Sequence, residues 1–266
     1  MPFNTIQLEH HPQGHATLWL NRPARHNAFN AQMIAELLQA LEQLHGNDRL
    51  RLLVLRGRGR HFSAGADIEW MREAAELDYA ANLRDAEALG ELMYRLYQLP
   101  MPTLAVVQGA AFGGALGLIA CCDLALGAED AQLSLSEVRI GLAPAVISPY
   151  VVKAIGERAT RRLAISAERI SGEQARALGL LTETAPADAL EALLERWVTA
   201  LMGNSPQAMR ESKALVQEAS RHSLTRELRR HTVQSIARIR VSPEGQEGLR
   251  AFLEKRPPNW SVEPES

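Results

Sequence analysis

Cysteine is nearly absent from this chain. Two of its 266 residues are cysteines, adjacent at Cys121 and Cys122, so no disulfide framework staples the fold and a reducing compartment is expected. An excess of charge of one sign is also lacking, with 29 basic side chains against 31 acidic ones. That balance excludes the broad basic field by which many proteins hold nucleic acid. The local clusters Arg56, Arg58, Arg60 and Arg226, Arg229, Arg230 read as solvated faces. No long apolar run occurs: the longest, "GGALGLIACC", is too short and glycine-rich to cross a bilayer. The start "MPFNTIQLEH" lacks the charged and apolar regions of a secretory signal. A soluble, cytoplasmic protein with one sizeable core is the expectation.

Low-complexity segments and solvated linkers are missing as well, which argues against independent domains. The first half alternates short apolar runs with helical patterns. "ATLWLN" (16–21) reads as a strand. A helix capped by Asn30 and closed by Gly46 follows, its apolar positions Met33, Ile34, Leu37, Leu38, Leu41 and Leu44 recurring at helical spacing. "RLLVLRG" (51–57) and "TLAVVQG" (103–109) read as buried strands, "DLALGA" and "AQLSLSE" as short ones. A long amphipathic helix is expected over 79–99, stopped by Pro100 and Pro102, and a small-residue helix over 114–122. From Pro149 onward the reading is almost all helix, with a capping box at Ser171 and Gln174 and later helices beginning near Asp188, Pro206, Leu224 and Pro243. An α/β layer over 1–200 followed by a helical region over 201–266 results.

Two stretches are poor hydrophobic core. In "HFSAGADIEW" (61–70), four small residues, Ser63 to Ala66, precede Asp67 just after a buried strand. A tight turn, a helix start capped by Asp67, or a ligand lying against main-chain N–H groups would each account for it. In "VVQGAAFGGALGLIACCD" a strand ends at Gly109 and Gly113-Gly114 open a helix, exposing N–H groups at the positive end of its dipole. Close helix packing explains the same glycines equally well.

The second turn lacks the G-x-G-x-x-G register of a dinucleotide site, and no Walker G-K-[ST] occurs. Ser63, Ser134 and Ser136 sit in no G-x-S-x-G elbow. His10, His11 and His15 cluster without acidic or cysteine partners and read as solvated surface, so no metal is expected. Cys121 and Cys122 read as close packing. Two bare-backbone turns suggest a different device: one N–H from each converging on a carbonyl oxygen, an oxyanion hole. Glu137, at the end of a short strand amid apolar and small residues, would be partly desolvated and its pKa raised toward useful proton transfer. Spacing alone favours an ordinary strand-end glutamate facing water.

"NRPARHNAFN", "FSAGADIEWM", "PTLAVVQGAAFGGALGLIACCDLALGAEDAQLSLSEVRIGLAP" and "GLRAFLEKRPPNW" together resemble the crotonase, or enoyl-CoA hydratase/isomerase, superfamily from about Ile6 to Trp260. The resemblance implies a spiral of ββα turns with a C-terminal helical trimerisation region, assembled as a trimer or a hexamer. The substrate would be an acyl-CoA thioester, and no cofactor is implied beyond it. By position, the oxyanion donors would be the N–H groups of Ala66 and Gly114. CoA would meet the Ala64–Ile68 run, including Asp67, with the backbone of Ala64 and Ile68 at its adenine end. Arg25 would reach its phosphates, Lys255 would reach CoA from a neighbouring subunit, and Glu137 would move the α-proton.

One departure stands out. Two-glutamate hydratases carry a second glutamate where this chain has Gly117. Hydration with Glu137 alone, a substitute carboxylate such as Asp85, Glu87 or Glu91, double-bond isomerisation by one base, and loss of catalysis are the readings this leaves open. "EVRIGLAPAVISPYVVKAIG" resembles the methylglutaconyl-CoA and isohexenylglutaconyl-CoA hydratases most, with Pro144-Ala145-Val146 in place of a glycine-rich turn. That implies a branched, carboxylated acyl group and a place in leucine or acyclic terpene breakdown. The same branch includes an RNA-binding relative. Here the comparable helix sets Arg84 and Arg95 against Asp78, Asp85, Glu87 and Glu91, which argues against nucleic acid as a partner.

Overall fold

A computed structural model describes residues 3–261. Strand β1 (Ile6–His10) pairs antiparallel with β2 (His15–Leu20). Helix α1 (Ala31–His45) then crosses over to β3 (Leu52–Gly57), which lies parallel to β2. The Asn30 side chain accepts from Met33 N–H and Gly46 closes the helix, as the sequence pattern expects. Helices α2 (Ile68–Ala75) and α3 (Tyr79–Tyr97) lead to β4 (Thr103–Val107), parallel to β3 and buried along its length.

After β4 come β5 (Ala110–Phe112), α4 (Gly114–Cys121), β6 (Leu124–Ala128) and β7 (Gln132–Ser134). Next are α5 (Ser148–Ser166), β8 (Ile170–Ser171), α6 (Gly172–Leu178) and β9 (Glu183–Ala185). The main sheet has six strands in the order β1-β2-β3-β4-β6-β9, and β5-β7-β8 form a second, small sheet. Helices α7 (Leu190–Met202), α8 (Pro206–Arg221), α9 (Arg226–Val241) and α10 (Pro243–Glu254) complete the chain. This is the α/β crotonase-like fold with a helical C-terminal region; residue 201 falls in the last turn of α7.

Four strands escape the periodicity reading. β5, β8 and β9 are two or three residues long, too short to display alternation. β1 is an edge strand, and one side of it faces solvent. The region after Pro149 is therefore not all helix, although the capping box at Ser171 and Gln174 forms as expected.

The core fills the space between the main sheet and the helices, with Leu18, Leu20, Leu53, Leu55 and Phe62 fully buried. Helix α4 packs against both α3 and α5, and its small residues permit that approach. The basic cluster beside β3 is anchored: the Arg58 guanidinium lies 3.7 Å from the Trp19 ring centre, and Arg56 pairs with Glu191 at 2.7 Å. Among the described residues no helix is long and apolar enough to cross a membrane.

Candidate active site

The two glycine turns meet. Ser63 bridges Ala111 and Ala66 bridges Phe29 as isolated parallel pairs, so the loop 62–67 is stitched on both sides. Phe29 N–H donates to Gly65 O at 2.7 Å, and Asp67 N–H donates to Phe29 O at 2.8 Å. In such a pairing the bridged residue between them turns its own N–H to the opposite side. Ala66 N–H therefore points away from Phe29, and among the described residues it has no acceptor.

Buried polar side chains hold this loop. Asn27 donates to Arg58 O and His61 O, each at 2.9 Å, and accepts from Arg22 N–H at 2.9 Å. Ser63 Oγ donates to Asn27 O at 2.8 Å and accepts from Gly65 N–H at 3.2 Å. Gly65 has φ +92°, and a Cβ there would lie 2.8 Å from Phe112 O, so glycine is required. Asp67 caps α2 through Glu69 N–H and pairs with Arg22 at 2.9 Å. Burial alone would push the Asp67 carboxyl up, but the Glu69 N–H and the Arg22 guanidinium outweigh it and hold it below the usual range.

The second turn places Gly113 (φ +55°) before α4, its N–H donating to Ser134 O at 2.9 Å. Gly114 N–H is then the first of the helix and has no intrahelical acceptor. Glu137 stands beside it: its Oε1 lies 3.3 Å from where a Cβ on Gly113 would be. Glu137 does not end a strand, as the sequence suggested. It opens a 3-10 turn over Glu137–Ile140, because β7 stops at Ser134. Its Oε2 is buried without a hydrogen-bond partner, and burial raises its pKa above the ordinary glutamate value.

Ala64, Ala66, Gly114 and Glu137 line one cavity of about 280 Å³. Its walls are apolar, from Phe29, Trp70, Met71, Leu89, Val146 and Ile147. Glu137 is its only ionisable lining residue among those described. The other expected residues stand outside that lining. Arg25 is exposed and pairs with Glu69 at 3.1 Å, Ile68 is an exposed first residue of α2, and Lys255 is an exposed cap of α10. A larger cleft of about 910 Å³ beside α8 shares no lining residue with this cavity, and Lys213 there is already bonded to Asp123 at 2.7 Å.

Position 117 has no room for a side chain. A Cβ on Gly117 would sit inside the Ile147 side chain and within 3.1 Å of Met93 Cε. None of the suggested substitute carboxylates lines the cavity either. Asp85 accepts from Trp70 Nε1 at 3.2 Å, Glu91 pairs with Arg95 at 2.6 Å, and Glu87 is exposed.

The sequence does not mark Asn27, whose partners come together only when distant loops close, and it shows Ser136 only as a serine without a nucleophile elbow, not as a lining residue of this cavity. Of the N-terminal histidines expected at a solvated surface, His10 is exposed, whereas His11 and His15 are partly buried. His15 is half-buried and its ring stacks on His11 at 4.0 Å, and desolvation with the His11 charge pulls its pKa down to about 4. Burial likewise pushes the Cys121 thiol well up, fitting a packing role. Among the described residues no cluster of three metal-ligating side chains occurs.

Residues 10–263 match the family described as enoyl-CoA hydratase/isomerase. The 2,3-dehydroadipyl-CoA hydratase of Escherichia coli is 30% identical, over 91% of this chain and 93% of its own. An enoyl-CoA hydratase from Shewanella pealeana superposes with a TM-score of 0.92 at 45% identity, covering 97% of this chain and 96% of that one. Pseudomonas aeruginosa AtuE gives 0.93 at 37%, covering 97% and 100%. The two glycine turns, the partly buried glutamate beside them and a match along nearly the whole length lead to one conclusion: the chain belongs to the enoyl-CoA hydratase/isomerase family and is an enzyme of it.

Proposed function

We propose that the protein hydrates a branched, carboxylated 2-enoyl-CoA, using Glu137 as its single acid/base and the N–H groups of Ala66 and Gly114 as the oxyanion hole. The observation that carries this is that Ala66 and Gly114, whose N–H groups have no acceptor among the described residues, and Glu137, with its desolvated carboxylate, line one apolar cavity. The thioester oxygen takes negative charge between the two donors as water adds at the β-carbon. The Glu137 carboxylate accepts a proton from that water and delivers it to the α-carbon. One O–H bond and the C=C π bond break, a C–O and a C–H bond form, and the carboxylate is regenerated. Each backbone donor would contribute about 2.7–4 kcal/mol to the transition state.

Pro144, Ala145 and Val146 form part of the wall of a cavity of about 280 Å³, suited to a compact branched chain. The E. coli relative is named for an acyl-CoA with a second carboxylate. Among the described residues no basic side chain lines the cavity, so a carboxylated end would have to reach its open rim to stay hydrated. Arg25 and the backbone of Ala64 and Ile68 would receive CoA, with Asp67 holding that run in place and Lys255 serving a neighbouring subunit. Exposed Val233, Val241, Leu249, Phe252 and Leu253 on α9 and α10 favour assembly into trimers or dimers of trimers.

A second reading follows from the lone carboxylate. One base suffices to move a proton between carbons, so a Δ3,Δ2-enoyl-CoA isomerase is the alternative. Turnover of 3-methylglutaconyl-CoA, its uncharged analogue 3-methylcrotonyl-CoA, and a 3-enoyl-CoA separates these. Hydration favouring the carboxylated substrate supports the proposal. Activity confined to the 3-enoyl-CoA overturns it in favour of isomerisation.

A further inference from the structure

Water entering an apolar cavity needs two or more polar partners to be held in one orientation. The hydrogen-bonding side chains lining this cavity are few. Trp70 Nε1–H is committed to Asp85, and Glu137 supplies its buried, unpartnered Oε2. The remaining one is Ser136, adjacent to Glu137 and also on the wall. Its hydroxyl caps no helix and makes no hydrogen bond among the described residues. The place where a second carboxylate would be sought is filled by Ile147 and Met93.

We infer that Ser136 is the second holder of the attacking water, its hydroxyl orienting the water whose proton Glu137 takes. The inference rests on the hydratase reading above. Glu137 and the oxyanion hole alone suffice to remove and return an α-proton. Adding water requires in addition that its oxygen be aimed at the β-carbon, and the Ser136 hydroxyl supplies that aim. A serine cannot act as a base here without a partner of its own, so its part is positioning.

The test compares wild type, Ser136→Ala and Ser136→Thr in two assays. One is hydration of 3-methylglutaconyl-CoA; the other is α-proton exchange of the corresponding saturated acyl-CoA in D₂O, which needs no attacking water. Ser136→Ala is expected to lower kcat for hydration about 10- to 100-fold with KM nearly unchanged. Exchange should continue at the wild-type rate, and Ser136→Thr should recover part of the hydration. Equal loss of both activities would overturn the inference, since the serine would then act on Glu137 or on the fold. A rise in KM for the carboxylated substrate at unchanged kcat would also overturn it, assigning the hydroxyl to acyl binding. Undiminished hydration in Ser136→Ala would do so with the hydratase reading intact. A wild-type enzyme that exchanges α-protons but hydrates nothing would remove both.

Discussion

The Ile147 side chain occupies the space that any side chain on Gly117 would need, so the floor of the cavity beneath α4 is closed by hydrocarbon. Gly117→Glu is therefore expected to destabilise rather than to install a second acid. Overpacking costs about 1–3 kcal/mol, and an unpaired buried carboxylate adds to it. Thermal melts should show a clear drop for Gly117→Glu, partly recovered in Gly117→Glu/Ile147→Ala, which removes the obstructing branch. A single variant as stable as wild type would show that Ile147 moves aside freely.

Glu137 has a folded-state pKa raised by burial. The native state thus holds its proton to higher pH than the unfolded chain does. Its favourable contribution is complete below the ordinary glutamate range and is lost as pH rises through the raised value. Glu137→Gln should accordingly melt above wild type at neutral pH, with the gap closing in acid. A domain of this class gains about 2–4 °C per kcal/mol. Equal melting temperatures across the pH range would mean that the carboxylate is solvated.

The same shift sets the acid limb of activity. As the proposed base Glu137 would work from its ionised form, so kcat should fall as pH drops through a value above that of an exposed glutamate. A kcat–pH profile measured with saturating substrate reads the limb directly. An acid limb at or below the ordinary glutamate value would contradict a desolvated base.

Asp67 acts on the site through the backbone. It caps α2 and binds Arg22, fixing the turn that aims Ala66 N–H. Its lowered carboxyl pKa means that its stabilisation is present above the ordinary aspartate range and is lost as pH falls through the depressed folded value. Asp67→Ala should cost about 1–2 kcal/mol from the cap alone and lower kcat more than it raises KM. A variant with wild-type kcat would show that Arg22 and the Phe29 pairing hold the loop unaided.

Much of the fold was legible because its helices are amphipathic and well capped. Asn30, Gly46, Ser171 and Gln174 mark boundaries that the structure reproduces. The strands β5, β8 and β9 were not, since two or three residues display no period and pair only after distant segments meet. At the site, the glycine turns announced themselves by composition. What closes them did not: Asn27 bonds across more than thirty residues to Arg58 and His61, and nothing local marks it. The question raised by Gly117 was visible in the sequence, whereas its answer lay in Ile147, thirty residues on and on another element.

The most direct measurement is the rate of 3-methylglutaconyl-CoA hydration by wild type and by Glu137→Gln under identical conditions. Proton transfer by this one carboxylate predicts active wild-type enzyme and a variant about 10²- to 10⁴-fold slower, folded and at least as stable at neutral pH. Hydration by Glu137→Gln at the wild-type rate would contradict the assignment and move the chemistry to another group.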